Sequence, residues 1–193
     1  KTSVALSEAD QKLIRYLAKH DHVSPFFHPQ VRMRIKMPIF CAREWFRHTI
    51  GLSRNEVSRR YVDSAPECWV PGAHELRERD PRVKQGSKDT PVADAMEAWE
   101  LLTKQTNAAM DTYHALLDKG VAPEIARSVL PQSMYTEFIE TGSLAAYARI
   151  CSLRLGKDAQ KEIREYAEAV RDLLQPAFPV SWAALMATET TPS

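Results

Sequence analysis

Neither sign of charge dominates this sequence. Its 26 Lys and Arg against 25 Asp and Glu leave a net charge of +1. That excludes a general nucleic-acid or membrane-surface binder, so any positive field must be local. Cysteine is scarce: Cys41, Cys68 and Cys151 are far apart and never form a Cys-x-x-Cys pair. A zinc ribbon and a thioredoxin-like site are thereby excluded, and the odd, scattered set fits reduced thiols in a cytoplasmic protein. Glycine occurs six times, never as either common phosphate loop. A dinucleotide would therefore be held by side chains and helix ends. No apolar run is long enough for a bilayer, and no signal peptide is visible, so no membrane partner is expected. The chain opens on Lys1 without an initiator methionine, which suggests that a segment precedes it.

What is present is ordinary in bulk: 44% hydrophobic and 26% charged residues over 193 positions, enough for one domain with a real core. Ser7 and Asp10 form a capping-box-like start for a helix to His20, with Leu13, Ile14 and Leu17 as its stripe. His22 to Pro29 reads as a loop. Val31 to Met37 alternates apolar and basic residues, the period of a half-buried strand. Pro38 opens a helix reaching His48, and Gly51 to Asn55 reads as a loop. Pro66 to Pro91 reads as an irregular excursion. Pro91 then opens the longest helix, to Gly120, with Met96, Trp99, Leu102, Met110, Tyr113 and Leu117 spaced for burial. Pro123 to Leu130 is a short helix stopped by Pro131. Ser133 to Thr141 is a second strand, broken by Gly142-Ser143, with Ser143 capping a helix to Leu155. Asp158 caps the next helix, to Leu174, which Pro176 and Pro179 terminate, and a Trp182-containing helix closes the chain. No repeat, low-complexity tract or linker is visible. The expected class is a helix-rich α+β single domain over residues 1–193.

The densest chemistry lies between Arg43 and Tyr61, where five arginines, His48, Glu44 and Glu56 stand among Ser, Thr and Asn. Rigid guanidinium forks suit phosphate and carboxylate. On composition alone, a solvated helix face with a basic loop is an equal reading. Arg43 and Arg47, four apart on one expected helix, favour a common target. Arg127, Arg149 and Arg154 form a second basic set, for which helix-end dipoles are the simpler account. His20, His22 and His28 lack the spacing and acidic partners of a metal site, so no metal is expected. Trp45, Phe46, Trp99 and Tyr113 read as core.

Arg47-His48 followed by Asn55-Glu56-x-Ser58-x-Arg60-Tyr61 resembles the signature of flavin-dependent thymidylate synthases. His22-Val-Ser24-Pro25-Phe26, Pro38-Ile39-Phe40 running to Arg43-Glu44-Trp45, and Lys84-Gln85-Gly86-Ser87 are similar to further stretches of that family. So are Arg127-Ser-Val-Leu130-Pro131, Tyr135-Thr136-x-Phe138, Thr141-Gly142-Ser143-Leu144, Leu153-Arg154 and Ala159-Gln160-x-Glu162. These run in family order from His22 to Glu162. The resemblance implies a homotetramer with a small antiparallel sheet, FAD as cofactor, and active sites shared between subunits. It implies conversion of dUMP to dTMP, with methylenetetrahydrofolate supplying the carbon and NADPH the reducing equivalents, and no cysteine nucleophile. It assigns His22, Ser24, Arg47, His48, Thr49, Asn55, Glu56, Ser143 and Arg149 to FAD. It assigns Glu44, Arg47, Glu56, Ser58, Arg60, Arg127 and Arg154 to dUMP, with Arg154 catalytic at the pyrimidine. Ser58 is a binding residue, since no general base is evident beside it. A non-catalytic relative that binds nucleotide or RNA would use the same arginines without chemistry.

This copy departs from the family pattern. Thr49 stands where a third basic residue is usual, and Ser53-Arg54 lengthen the loop, so Arg54 is expected to supply the charge. Glu44 replaces a glutamine, and Phe27 an acidic residue. Ala145 replaces an arginine, and Arg149 an asparagine at a flavin-phosphate contact. The family's opening strand and Ala-Arg-Val-Ser-like segment have no counterpart in the sequence.

Overall fold

The computed structural model describes residues 5–58, 65–82 and 86–189. Arg60, Tyr61, Lys84 and Gln85 of the matched motifs lie outside them. The architecture is helix-rich α+β, with a three-stranded sheet in the order β1 (Gln30–Pro38), β5 (Tyr135–Ser143), β2 (Leu52–Glu56) and a two-stranded antiparallel ribbon of β3 (Arg77–Arg79) and β4 (Ser87–Pro91).

α1 (Glu8–Lys19) begins at a reciprocal cap: the Asp10 N–H donates to Ser7 Oγ at 3.1 Å and the Ser7 N–H to the Asp10 carboxylate at 2.9 Å. Its stripe is shallower than expected, with Leu13 exposed and Ala18 buried. The His22–Pro29 loop contains a short 3-10 turn, Ser24–Phe27. β1 (Gln30–Pro38) carries the expected alternation, turning Ile35 and Met37 inward and Arg32, Arg34 and Lys36 outward. α2 (Ile39–Trp45) stops before His48, so Arg43 and Arg47 do not share a helix face.

Residues 51–55, expected as a loop, mostly form β2 (Leu52–Glu56). Leu-Ser-Arg-Asn-Glu has weak strand propensity. Pairing supplies what propensity lacks: just past the strand, the Val57 N–H donates to Glu137 O at 2.8 Å. The excursion before Pro91 is likewise partly ordered, holding β3 (Arg77–Arg79) and β4 (Ser87–Pro91). Pro91 therefore ends a strand, and α3 (Ala95–Asp118) starts after it. Tyr113 is buried in α3, Trp99 half-buried and Met96 exposed.

α4 (Pro123–Ala126) runs into a 3-10 turn, Arg127–Val129. β5 (Tyr135–Ser143) continues through Gly142, which does not break it. Ser143 is both the last strand residue and the N-cap of α5 (Leu144–Arg154). Its extended backbone suits both roles, and its hydroxyl accepts the Ala146 N–H at 3.1 Å. α6 (Lys161–Ala177) is capped at Gln160 rather than Asp158. Arg164 organises that turn, donating from Nη2 to Lys157 O and Ala159 O. Pro176 sits inside the last turn, where few intrahelical bonds remain to lose, and the Phe178 N–H still reaches Leu174 O at 2.9 Å. α7 (Pro179–Glu189) follows.

The chain divides into two compact units. The first comprises residues 1–33, 48–53 and 140–193. In it α1 packs on α7, and α5 packs on α6 and α7, burying Leu144, Tyr147, Ile150, Ile163, Leu174 and Trp182. The second comprises residues 34–47 and 54–139, with Met37, Trp45, Tyr113 and Phe138 buried. Among the described residues no helix is long and apolar enough to cross a membrane.

Candidate active site

The matched residues fall into both units, and the boundary passes between Arg47 and His48.

In the first unit, His22 and Ser24 are exposed at the end of α1 and in the turn after it. Asp21 adopts φ 57°, a left-handed conformation that Asp tolerates better than most residues, and so ends the helix. Thr49 is exposed and His48 half-buried. Gly51 has φ +72°, and a Cβ there would lie 3.1 Å from Ser143 Oγ. Its carbonyl accepts the Ser143 N–H at 3.1 Å, which seats the loop against the start of α5. Ser143 itself is 1% exposed, and its hydroxyl caps α5. Arg149 and Arg154 lie five positions apart on that helix, about 140° around its axis, and so point different ways.

Arg154 Nε donates to His48 Nε2 at 3.0 Å. Arginine has no acceptor, so His48 presents a lone pair at Nε2 and carries its proton on Nδ1. The ring is neutral in this arrangement, and a protonated imidazolium could not accept the bond. A helix-terminal guanidinium is thereby fixed by a histidine more than a hundred positions away in sequence.

In the second unit, Arg47 is exposed beyond α2 and Glu44 is half-buried. Asn55 and Glu56 end β2, both exposed, and Ser58 is half-buried. Arg127 is exposed and donates from Nε to Glu124 O at 3.3 Å. Arg54 is half-buried with its guanidinium 5.2 Å from the Phe46 ring, a cation–π arrangement. Phe46 in turn meets Phe138 edge-on at 4.9 Å. Two residues not assigned a role from sequence belong beside this set. The buried Thr136 hydroxyl donates to Glu56 Oε1 at 2.5 Å. Glu137 pairs with Arg34 at 2.7 Å, and that hydrogen bond holds the Glu137 carboxyl below its usual range. Period-two spacing of Thr136, Phe138 and the fully buried Glu140 is the sequence signal that these residues share the inward face of the strand. An open groove of about 490 Å³ along α3, from Trp99 to Asp111, contains none of these residues.

Cys41 and Cys151 are both buried. Burial pushes the Cys151 thiol up to about 12, against a weaker opposing pull from Arg171. At pH 8 roughly one molecule in ten thousand would carry that thiolate. Cys68 is only half-buried. Aromatic-disulfide titration of the native protein should therefore modify Cys68 ahead of the other two. Rapid labelling of Cys151, read by peptide mass spectrometry, would contradict the burial argument.

The family model described as thymidylate synthase complementing protein matches residues 2–180. A flavin-dependent thymidylate synthase of Thermus thermophilus is 42% identical over 175 residues, covering 91% of this chain and 63% of the relative. One of Thermosipho africanus is 36% identical over 182 residues, covering 93% and 78%. The crystal structure of a UMP/dUMP methylase, PolB, from Streptomyces cacaoi bound with 5-Br dUMP aligns with TM-score 0.85 at 31% identity. That alignment covers 98% of this chain and 85% of the other. The chain thus spans just under two thirds of the length of the first relatives it matches. Its match over nearly the whole sequence, with the motif residues on the elements described, makes it a member of the thymidylate synthase complementing protein family.

Proposed function

We propose that this chain binds FAD and methylates dUMP to dTMP, with methylenetetrahydrofolate as carbon donor and NADPH as reductant. The proposed working form is a cytoplasmic homotetramer whose subunits share active sites. The observation that carries this reading is the Arg154–His48 hydrogen bond, which joins the motif histidine to the arginine proposed to act on the pyrimidine.

The residues present suit a flavin dinucleotide. Arg47 in the second unit and Arg149 in the first are each exposed guanidiniums, neither paired with a carboxylate among the described residues, and a guanidinium fork suits phosphate oxygens. His22, Ser24, Thr49 and Asn55 add exposed hydrogen-bonding groups. When bound, reduced flavin supplies the electrons for the methyl group. The chain's own work is positioning and electrostatics. Glu44, Glu56, Ser58 and Arg60 line the nucleotide, and Arg127 grips it from another subunit. A guanidinium at Arg154 lowers the pKa of the neighbouring ring nitrogen, favours its ionised form and raises electron density at the carbon to be alkylated.

Arg54, over the Phe46 ring, would supply the charge missing at Thr49, and Arg149 would replace the asparagine usual at a flavin-phosphate contact. Arg149→Ala should weaken FAD binding roughly tenfold or more and dUMP binding much less, both measured by titration. Equal losses would count against the assignment. The function itself is tested by FAD uptake followed by tritium release from labelled dUMP with NADPH and the folate. A colourless protein that takes up no FAD and binds RNA with steep salt dependence would replace this reading with a binding module.

A further inference from the structure

We propose that Thr136 is a positioning residue that fixes the Glu56 carboxylate for nucleotide binding; this rests on the dUMP-binding reading above. β5 turns Thr136 and Phe138 inward on alternate positions, leaving Thr136 8% exposed. A hydroxyl at that depth needs a hydrogen-bond partner. It finds one across the sheet in Glu56 Oε1 at 2.5 Å, a separation within the range for a hydroxyl on a carboxylate. An ionised carboxylate only accepts, so the threonine must be the donor. The backbone secures the same junction, since the Val57 N–H donates to Glu137 O at 2.8 Å. The last residue of β2 is thus tied by its side chain, and the next residue by its main chain, to consecutive residues of β5.

The chemistry of the two side chains makes this a positioning arrangement. Threonine is β-branched and stiff at χ1, so once its strand is placed its hydroxyl has little freedom. Glutamate has three flexible torsions, and fixing an exposed one costs side-chain entropy. The buried, rigid partner imposes order on the exposed, flexible one before any ligand arrives. Among the described residues the Thr136 bond is the hydrogen bond this carboxylate makes. It engages Oε1, and Oε2 is the oxygen assigned to a ligand donor. Binding then avoids part of the ordering cost, which is how a preorganised group gains affinity.

The test is a double-mutant cycle on the FAD-loaded protein, with dUMP affinity measured by calorimetry and melting temperature recorded without dUMP. Thr136→Val keeps the shape and removes the donor. It should weaken dUMP binding about tenfold, the usual effect of one hydrogen bond to a charged group. Thr136→Ser, which keeps the hydroxyl, should stay within about threefold of wild type. In a Glu56→Ala background the valine substitution should add less than about twofold, because its route to the ligand is gone. A merely structural threonine would lower the melting temperature and leave dUMP affinity unchanged, or would cost the same factor in both backgrounds. Either result overturns the proposal. If Thr136→Val does not fold, the smaller Thr136→Ala takes its place in the cycle. A wild-type protein that loads FAD but does not bind dUMP removes both this inference and the functional reading. Tight dUMP binding without coupling removes this inference alone.

Discussion

Replacing Arg154 with alanine is expected to cut dTMP formation by about 10²–10³-fold while the melting temperature stays close to wild type. The side chain ends α5 and contributes little to the core, so the fold loses a favourable helix-end charge, about 0.3–1 kcal/mol, and the hydrogen bond to His48, about 0.5–1.5 kcal/mol. Turnover loses a preorganised cation. Arg154→Lys should recover little of it. The arginine meets His48 through Nε, and the planar guanidinium then sets its Nη groups at a fixed angle to that bond. Lysine has a single nitrogen on a flexible stem and cannot serve two directions from one plane. Tritium release from labelled dUMP reads the loss, with FAD absorbance as the control. Wild-type-like turnover of the lysine variant would sink the argument.

Phe138→Ala carries the largest expected cost in stability, about 3–5 kcal/mol. Phe138 is fully buried on β5, and Phe46 packs on it edge-on, directly before Arg47. Removing the ring opens a cavity and takes away the surface that holds Phe46, and with it the support beneath Arg54. The melting temperature should fall by roughly 10 °C. Phe138→Leu, which refills most of the volume, should restore most of that. A drop of only a degree or two in the alanine variant would mean that the site's support lies elsewhere.

Much of this was legible in the sequence. The Ser7 cap, the alternation of β1 and the Ser143 cap are short-range patterns, and each appears where the residues put it. Motif order placed Arg154 and the 47–58 stretch in one family, because order along the chain survives many substitutions. β2 was not legible: Leu-Ser-Arg-Asn-Glu becomes a strand only by pairing with β5. Pro91 misled for a related reason, since a proline fits the end of an edge strand as readily as the first turn of a helix. Within the site, the sequence motif around Thr136 reveals no role for it, because its partner is eighty positions away and only the fold brings them together. The His48–Arg154 bond was hidden in the same way.

The interleaving of the two units has a consequence for how the chain is made. The first unit draws on residues 1–33, 48–53 and 140–193. Its N-terminal helix α1 therefore waits for α7, the last helix described, before it has its packing partner. On the ribosome the first unit cannot close until residues 140–193 have been made, whereas the second has all its residues once 139 has emerged. Contacts so distant in sequence slow folding and prolong the exposure of apolar faces. No single cut releases an intact half, so an expression strategy based on truncation would discard part of a unit whichever end it removed.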